Sequence, residues 1–195
     1  MIIGLTGGIG VGKSFIANCF KEFGAAVFDA DFIVHQLYRV DKNIISYAEK
    51  NFPGAIVNGE IDKTVLSKYF LDYDENWKQF QSLVHSAVRN ELEIFIAQDK
   101  EIDRKFLVLD VPLLLETRFH LYCDFIIFIY ADSIAQAQRL SERNINKEKL
   151  DLISSIQLPV KEKRQMSDFT IDTSTSKEHV LSQIKDIVDS LSLSN

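Results

Sequence analysis

The sequence lacks any apolar run of the roughly 18 residues that a membrane span requires, and it contains little cysteine. The first absence excludes a membrane anchor. The two cysteines, Cys19 and Cys123, have no metal-ligand spacing, so a disulfide scaffold and a zinc site are disfavoured and buried free thiols are predicted. The N-terminus also lacks the charged start and the small-residue cleavage site of a signal peptide, which predicts a cytoplasmic location.

Basic charge is scarce as well, since 22 Lys and Arg residues against 28 Asp and Glu residues give a formal net charge of -6. Binding of nucleic acid over a broad surface needs a basic face, so the net charge argues against this class of partner. An anionic ligand must then be held locally. The length of 195 residues, of which 46% are hydrophobic, fits one globular domain with a substantial core. The oligomeric state has no readable signal in the sequence.

Short apolar runs alternate with helical patterns along the chain. Continuous apolar runs are typical of strands covered on both faces, and strands are predicted at residues 2–6, 25–28, 106–110, 125–130 and 169–172. Helices are predicted at residues 14–23, 133–143 and 177–191. This alternation predicts a parallel sheet in a three-layer α/β fold, in which ligands bind at the carboxyl ends of the strands.

Two segments depart from this alternation within the single domain predicted for residues 1–195. Residues 41–104 contain turn signals followed by a long stretch of helical spacing, which predicts a helical insertion. Residues 139–166 are rich in charge, and Arg139 and Arg143 share one face of a helix because they are four residues apart. This second pattern predicts a lid that closes over a bound nucleotide, with a solvated helix face as the alternative.

Residues Gly7 to Ser14 fit the pattern G-x-x-x-x-G-K-[ST], the phosphate-binding P-loop, between a predicted strand and a predicted helix. Glycines let the backbone turn its N–H groups toward phosphate oxygens, and the N-terminus of the following helix favours negative charge. Lys13 can reach the β- and γ-phosphates, and Ser14 can ligate Mg²⁺. A glycine-rich turn with a solvated lysine is the alternative, but the full pattern in this context favours a nucleoside triphosphate.

Acidic residues end two other predicted strands. A kinase holds its acceptor hydroxyl beside the γ-phosphate and often orients it with a carboxylate, so Asp29 and Asp31 are candidates for this role. Asp110 resembles a Walker-B acid that binds metal directly or through water. The alternatives are a solvated turn or a helix N-cap for the first pair and a strand-end turn for Asp110.

Together these motifs resemble one family, the dephospho-CoA kinases. The resemblance covers almost the whole chain in the right order. Its elements are the P-loop from Gly4 to Ser14, Asp29-Ala-Asp31 as a DAD motif, Asp110-Val-Pro-Leu-Leu-Leu-Glu116 as a DVPLL-E motif, the paired lid arginines Arg139 and Arg143, and Gln157 with Ser167-Asp168. A P-loop is common to many families, whereas the second and third motifs in these positions are specific.

The resemblance implies transfer of the ATP γ-phosphate to the ribose 3′-hydroxyl of dephospho-CoA, which gives CoA and ADP in the last step of CoA synthesis. It implies catalytic roles for Lys13, for Asp31 facing the acceptor hydroxyl, and for Arg143 reaching phosphate from the lid. It implies ATP binding by Gly8, Ile9, Gly10, Val11, Gly12, Lys13, Ser14, Phe15, Arg139 and Arg143.

The acceptor contacts also rest on the resemblance, which makes residues 41–104 an acceptor-binding insertion. The residues that the resemblance places in contact with the acceptor are Asp31, His85, Asp110, Pro112, Leu113 and Leu114. The predicted Mg²⁺ ligand is Ser14, with Asp110 as a second candidate. On sequence alone, His85 is more typical of a structural helix histidine, and the leucines of this turn are more typical of core.

The sequence departs from the family pattern at three positions. Ser86 stands where proline is usual, His35 where an arginine often follows DAD, and Asn144 where an aspartate often follows the second arginine. These departures bear on the finer acceptor contacts rather than on the activity. Trp77 is predicted to be a packing residue.

Two other functions share parts of this pattern. Another P-loop kinase, such as one acting on a nucleoside monophosphate, would share the loop, lid and fold and would differ in its acceptor. A nucleotide-dependent switch would carry Asp-x-x-Gly and Asn-Lys-x-Asp elements, and the nearest approach is Asn146-Lys-Glu-Lys149. The switch is therefore disfavoured, while the preference for ATP over GTP rests on the resemblance.

Overall fold

The computed structural model describes residues 1–69, 74–102, 104–142, 150 and 154–193. The chain divides into two compact units, the first formed by Met1–Phe28 and Asp99–Asn195 and the second by Asp29–Gln98. The second unit begins before the insertion predicted at residues 41–104, because it also contains the helix that follows Asp29.

The strands and helices alternate as the sequence predicts. In chain order the described elements are β1 (Ile2–Gly7), α1 (Lys13–Glu22), β2 (Ala26–Asp29), α2 (Ala30–Val40), α3 (Lys42–Asn51), β3 (Ile56–Val57), β4 (Glu60–Ile61), α4 (Lys63–Tyr69), α5 (Glu75–Ile102), β5 (Leu107–Asp110), a 3₁₀ helix (Phe119–Tyr122), β6 (Phe125–Tyr130), α6 (Ser133–Glu142), α7 (Val160–Gln165), β7 (Phe169–Asp172) and α8 (Lys177–Leu193).

A five-stranded sheet with the order β2-β5-β1-β6-β7 forms the centre of the fold. Strand β1 pairs in parallel with β5 and β6, and β6 pairs in parallel with β7. Leu5 lies beside Asp110 on one side and beside Ile127 on the other. The predicted parallel sheet is confirmed, and this register brings the end of β5 level with the strand that leads into the P-loop.

Both faces of β1 are covered, as expected for the central strand of a three-layer fold. Ile3 and Leu5 are completely buried in a core to which α1 contributes Phe20 and α8 contributes Ile184. On the opposite face Gly4 lies against Leu114 and Cys123 so closely that a Cβ atom would come within 2.7 Å of either side chain. Burying each large aliphatic side chain stabilises the fold by about 1.5–3 kcal/mol.

The cysteines are free thiols, as predicted. Cys19 is buried on α1, and Cys123 is half-buried before β6. Burial is the main reason that the pKa of Cys123 rises to about 12, with a smaller contribution from Asp124. The thiol is therefore protonated at neutral pH, which fits a packing role.

An aromatic cluster forms the core of the second unit. Phe52 packs edge-on against Phe80 and Trp77, with ring centroids 5.3 Å and 5.9 Å apart. Trp77 is 7% exposed, which confirms the predicted packing role. Strands β3 and β4, which were not predicted, form a hairpin at Asn58-Gly59, where both residues have positive φ. The sequence signalled this turn but not the two-residue strands around it.

None of the helices in the described ranges is both long enough and apolar enough to cross a lipid bilayer.

Candidate active site

The loop between β1 and α1 follows a path that only glycine allows at two positions. Gly10 and Gly12 have φ angles of 77° and 93°, a region that other residues rarely adopt. A Cβ atom on Gly10 would also lie 3.0 Å from the side chain of Leu140. Gly12 is the N-cap of α1, and its carbonyl accepts the Ile16 amide at 3.1 Å. The glycines therefore set the course of the loop into the helix.

Lys13, the first residue of α1, turns back over this loop. Its Nζ atom donates hydrogen bonds to the carbonyl oxygens of Gly7 at 3.2 Å and Gly8 at 3.0 Å. The ammonium charge thus lies where the motif places the phosphates of a nucleotide. A phosphate oxygen would compete well for it, because hydrogen bonds between two charged groups are stronger than those to neutral carbonyls.

Two side chains near the loop carry oxygen atoms that can ligate a hard cation. Ser14 is exposed on the first turn of α1, and Asp110 is 8% exposed at the end of β5. A hydroxyl and a carboxylate suit Mg²⁺, which takes few protein ligands and fills its remaining positions with water and substrate phosphates. No group of three or more His, Cys, Asp or Glu side chains that could hold a metal occurs in the described ranges. The donor chemistry fits Mg²⁺ bound together with a nucleotide.

Arg139 on α6 reaches both the P-loop and the residue after β7. Its guanidinium donates to the Thr173 hydroxyl at 2.9 Å, to the Thr173 carbonyl at 2.6 Å and to the Val11 carbonyl at 3.3 Å. Gln136, one turn earlier, donates from Nε2 to the Ile9 carbonyl at 2.6 Å. The start of the predicted lid is therefore bonded to the P-loop backbone.

Thr173 and Gln136 were missed by the sequence analysis. The only available signal was that Thr173 directly follows a predicted strand, at the sheet edge where ligands bind. Both side chains belong to residue types that are common on surfaces, so neither spacing nor composition distinguishes them.

A pocket of about 330 Å³ opens beside the P-loop in the first unit. The pocket is lined by Phe15, which is 39% exposed, together with two cationic side chains and hydroxyl groups. The lining residues are Gly12, Phe15, Arg139, Thr173, Thr175, Lys177 and Val180. A flat, polar heterocycle suits this combination better than an aliphatic ligand.

The two aspartates of Asp29-Ala-Asp31 have different positions. Asp29 is the N-cap of α2, and its Oδ1 atom accepts the Phe32 amide at 2.9 Å. Asp31 lies in the first turn of α2 and is exposed. The N-cap alternative therefore applies to Asp29, and the role of acceptor-facing acid stays a prediction for Asp31. His35, the first family departure, is exposed one turn further along this helix.

His85 is half-buried in the middle of α5. Its pKa lies below the usual value, mainly because burial disfavours the charged imidazole and secondly because Arg89 is nearby. A neutral histidine fits either a structural position or contact with an uncharged group. Ser86, the next departure, is exposed on the same helix.

The turn after β5 divides into accessible and buried residues. Pro112 and Leu113 are partly exposed, whereas Leu114 is 0% exposed and packs against Gly4. Leu114 is therefore a core residue in this structure, and its predicted contact with the acceptor has no support from this packing. Pro112 and Leu113 retain the accessibility that such a contact requires.

Glu116, which ends this motif, forms a buried ion pair with Lys163 on α7. The Lys163 Nζ atom lies 2.7 Å from Glu116 Oε1, and the two side chains are only 1% and 11% exposed. The same Oε1 atom accepts the Leu158 amide at 2.8 Å. The solvated helix face that was the alternative for residues 139–166 does not describe Lys163, because a carboxylate 47 positions earlier in the sequence offsets its charge in the interior.

Arg143 and Asn144 lie outside the described residues, so the catalytic arginine of the lid stays a prediction.

Comparison with known proteins decides between the kinase families. The sequence model described as dephospho-CoA kinase matches residues 1–179. The chain belongs to the dephospho-CoA kinase family. It is 96% identical over 195 residues, the full length of both chains, to the dephospho-CoA kinase of Wolbachia sp. subsp. Brugia malayi (strain TRS). It is 78% identical over 193 residues, 99% of both chains, to that of Wolbachia pipientis wMel.

The fold agrees with a solved dephospho-CoA kinase from Campylobacter jejuni. The two structures superpose with a TM-score of 0.73 at 18% identity, covering 100% of this chain and 98% of the other. Membership of the dephospho-CoA kinase family agrees with the predicted P-loop, and nucleotide binding by Lys13 stays a prediction. The nucleotide-switch alternative is therefore set aside.

Proposed function

We propose that the protein phosphorylates the ribose 3′-hydroxyl of dephospho-CoA with ATP and releases CoA and ADP. The observation that carries this proposal is the P-loop with Lys13 turned over it, in a chain whose family match extends over residues 1–179. The hydroxyl oxygen bonds to the γ-phosphorus as the bond from that phosphorus to the β–γ bridging oxygen breaks. The hydroxyl proton passes to a base and then to solvent.

In this proposal the P-loop binds the ATP phosphates through its backbone amides, and Lys13 neutralises charge on the β- and γ-phosphates. The pocket beside Gly12 and Phe15 accepts the nucleoside part. Ser14, with Asp110 as a second candidate, would hold Mg²⁺, which would neutralise phosphate charge. Arg143 adds positive charge at the transferring phosphate when the lid closes.

Asp31 is the proposed base that receives the acceptor proton. Its exposure in the first turn of α2 supports this role, because a carboxylate must be accessible to accept a proton from a substrate. His85, Pro112 and Leu113 complete the proposed acceptor contacts. The cytoplasmic location stays a prediction from the sequence.

The test is direct. Purified protein is incubated with ATP, Mg²⁺ and dephospho-CoA, and CoA and ADP are measured by mass spectrometry. A 3′-deoxy analogue of dephospho-CoA tests the acceptor position, and nucleoside monophosphates test the rival kinase activity. Formation of CoA with no product from the 3′-deoxy analogue supports the proposal. Faster phosphorylation of a nucleoside monophosphate contradicts it.

A further inference from the structure

Thr173 is a buried polar residue to which neither the motifs nor the comparisons give a role. It directly follows β7 and is 2% exposed. Its hydroxyl lies 2.7 Å from the Val11 carbonyl and 3.0 Å from the Tyr130 carbonyl. A hydroxyl has one proton to donate, and the shorter of the two distances assigns it to the Val11 carbonyl.

The guanidinium of Arg139 holds the same threonine from the other side. Its Nη1 atom donates to the hydroxyl at 2.9 Å, and its Nη2 atom donates to the Thr173 carbonyl at 2.6 Å. The planar fork of arginine matches these two oxygens. The hydroxyl thus accepts a hydrogen bond from Arg139 and donates one to Val11. These two hydrogen bonds together fix the orientation of the hydroxyl.

The Val11 carbonyl has a direct link to phosphate binding. The peptide bond is planar and trans, so its C=O and N–H groups point in opposite directions. Fixing the Val11 carbonyl therefore fixes the direction of the Gly12 N–H, one of the P-loop amides that the motif assigns to phosphate. Gly12 has a φ of 93° and no side chain to restrict it, so the contact between Val11 and Thr173 adds a restraint that the glycine cannot supply.

We propose that Thr173 is a positioning residue for the nucleotide, whose hydroxyl fixes the Val11 carbonyl and the Arg139 guanidinium and so presets the P-loop for phosphate. This inference rests on the proposed function for its nucleotide. It gives Arg139 a role through the loop, because its Nη1 atom is bonded to Thr173 and Val11 and its Nη2 atom is bonded to Thr173.

The test compares ATP affinity in three variants of the full chain, measured by calorimetry without acceptor. Thr173→Val keeps the shape of the side chain and removes both hydrogen bonds, Thr173→Ser keeps the hydroxyl, and Thr170→Val makes the same exchange at an exposed site on β7. We expect Thr173→Val to raise the Kd for ATP about tenfold and Thr173→Ser to raise it less than about threefold. Thr170→Val should leave it unchanged.

A purely structural role would lower the melting temperature of Thr173→Val and leave its ATP affinity at the wild-type value, and this result overturns the proposal. Equal loss in the serine and valine variants also overturns it. If Thr173→Val does not fold, Arg139→Lys replaces it, because lysine keeps the charge and lacks the forked guanidinium. Wild-type ATP affinity in Arg139→Lys would also overturn the proposal.

Two further readouts separate this inference from the proposed reaction. The KM for dephospho-CoA should be unchanged in Thr173→Val, because the residue acts on the nucleotide alone. If no CoA forms with the wild-type protein but Thr173→Ser still binds ATP more tightly than Thr173→Val, the proposed acceptor is wrong and the positioning role stands.

Discussion

The two units of the molecule hold their predicted site residues in different ways. In the first unit Lys13 and Arg139 both donate to backbone carbonyls of the P-loop. In the second unit Asp31 and His35 are exposed on the surface of α2. Hydrogen bonds to the P-loop carbonyls restrict Lys13 and Arg139 before any ligand arrives, whereas Asp31 and His35 lie at an accessible surface. This difference predicts a preorganised nucleotide end in the first unit and a more accessible acceptor end in the second.

Loss of the P-loop cation should have the largest effect and should not depend on the acceptor. We expect Lys13→Ala to abolish measurable turnover, because the charge that spreads over the γ-phosphate oxygens loses its main protein cation. Lys21→Ala, an exposed lysine in the last turn of the same helix, is the matched control and should behave as wild type. Wild-type turnover of Lys13→Ala at saturating ATP would contradict the P-loop assignment.

The predicted lid arginine, Arg143, extends this comparison within the sequence of the first unit. Arginine at a transferring phosphate can contribute about 10³- to 10⁵-fold in rate. Arg143→Ala should therefore reduce kcat by a factor in that range without unfolding the protein. Lys149→Ala in the same segment should change little. Mild and equal losses in both variants, measured as kcat with circular dichroism as a folding control, would count against a catalytic lid.

Asp31 tests the acceptor end. We expect Asp31→Asn to lower kcat by about 10²- to 10⁴-fold while the Kd for ATP stays near wild type, because a general base acts on the acceptor proton alone. Asp29→Asn is the matched control, since asparagine caps a helix as well as aspartate does and should accept the Phe32 amide. Equal kcat losses in the two variants would show that the motif acts through α2 rather than through one carboxylate.

Lys163 shows that a cation of the first unit can be structural instead of catalytic. Removing one partner of a buried ion pair costs about 3–5 kcal/mol, because Glu116 is left uncompensated in the interior. For a chain of this length, Lys163→Met should lower the melting temperature on the order of 10 °C. Lys161→Met, exposed on the same helix, should have little effect. A melting temperature within the error of wild type for Lys163→Met would rule out a stabilising pair.

The sequence predicted the five strands of the central sheet, their parallel arrangement and the P-loop because their signals are local. Apolar runs, glycine spacing and a following helix all lie within a few residues of one another. Thr173 and Lys163 could not be found this way, because their partners are distant along the chain. The Thr173 hydroxyl bonds to a carbonyl 162 residues away, and only the fold brings the two groups together. Local pattern likewise could not distinguish buried Leu114 from its more accessible neighbour Leu113.

The smallest expected effect concerns His85 in the second unit and depends on pH. Burial holds the pKa of His85 below its usual value near 6.5, so the unfolded chain binds the proton more readily than the folded chain. The resulting stability is fully present above the unfolded pKa and is lost as the pH falls through the lower folded pKa. His85→Gln should therefore flatten the decline in melting temperature between about pH 7.5 and pH 5.

His35→Gln, at an exposed position on α2, is the matched control for this slope.

The KM for dephospho-CoA in the His85 variant tests whether this histidine contacts the acceptor. If His85 only packs within α5, its substitution changes the pH slope of stability and leaves the KM for dephospho-CoA unchanged. If it contacts the acceptor, the KM rises as well. A wild-type pH slope in His85→Gln would show that protonation of this histidine is not coupled to folding, and the balance between its structural and acceptor roles would then rest on the KM alone.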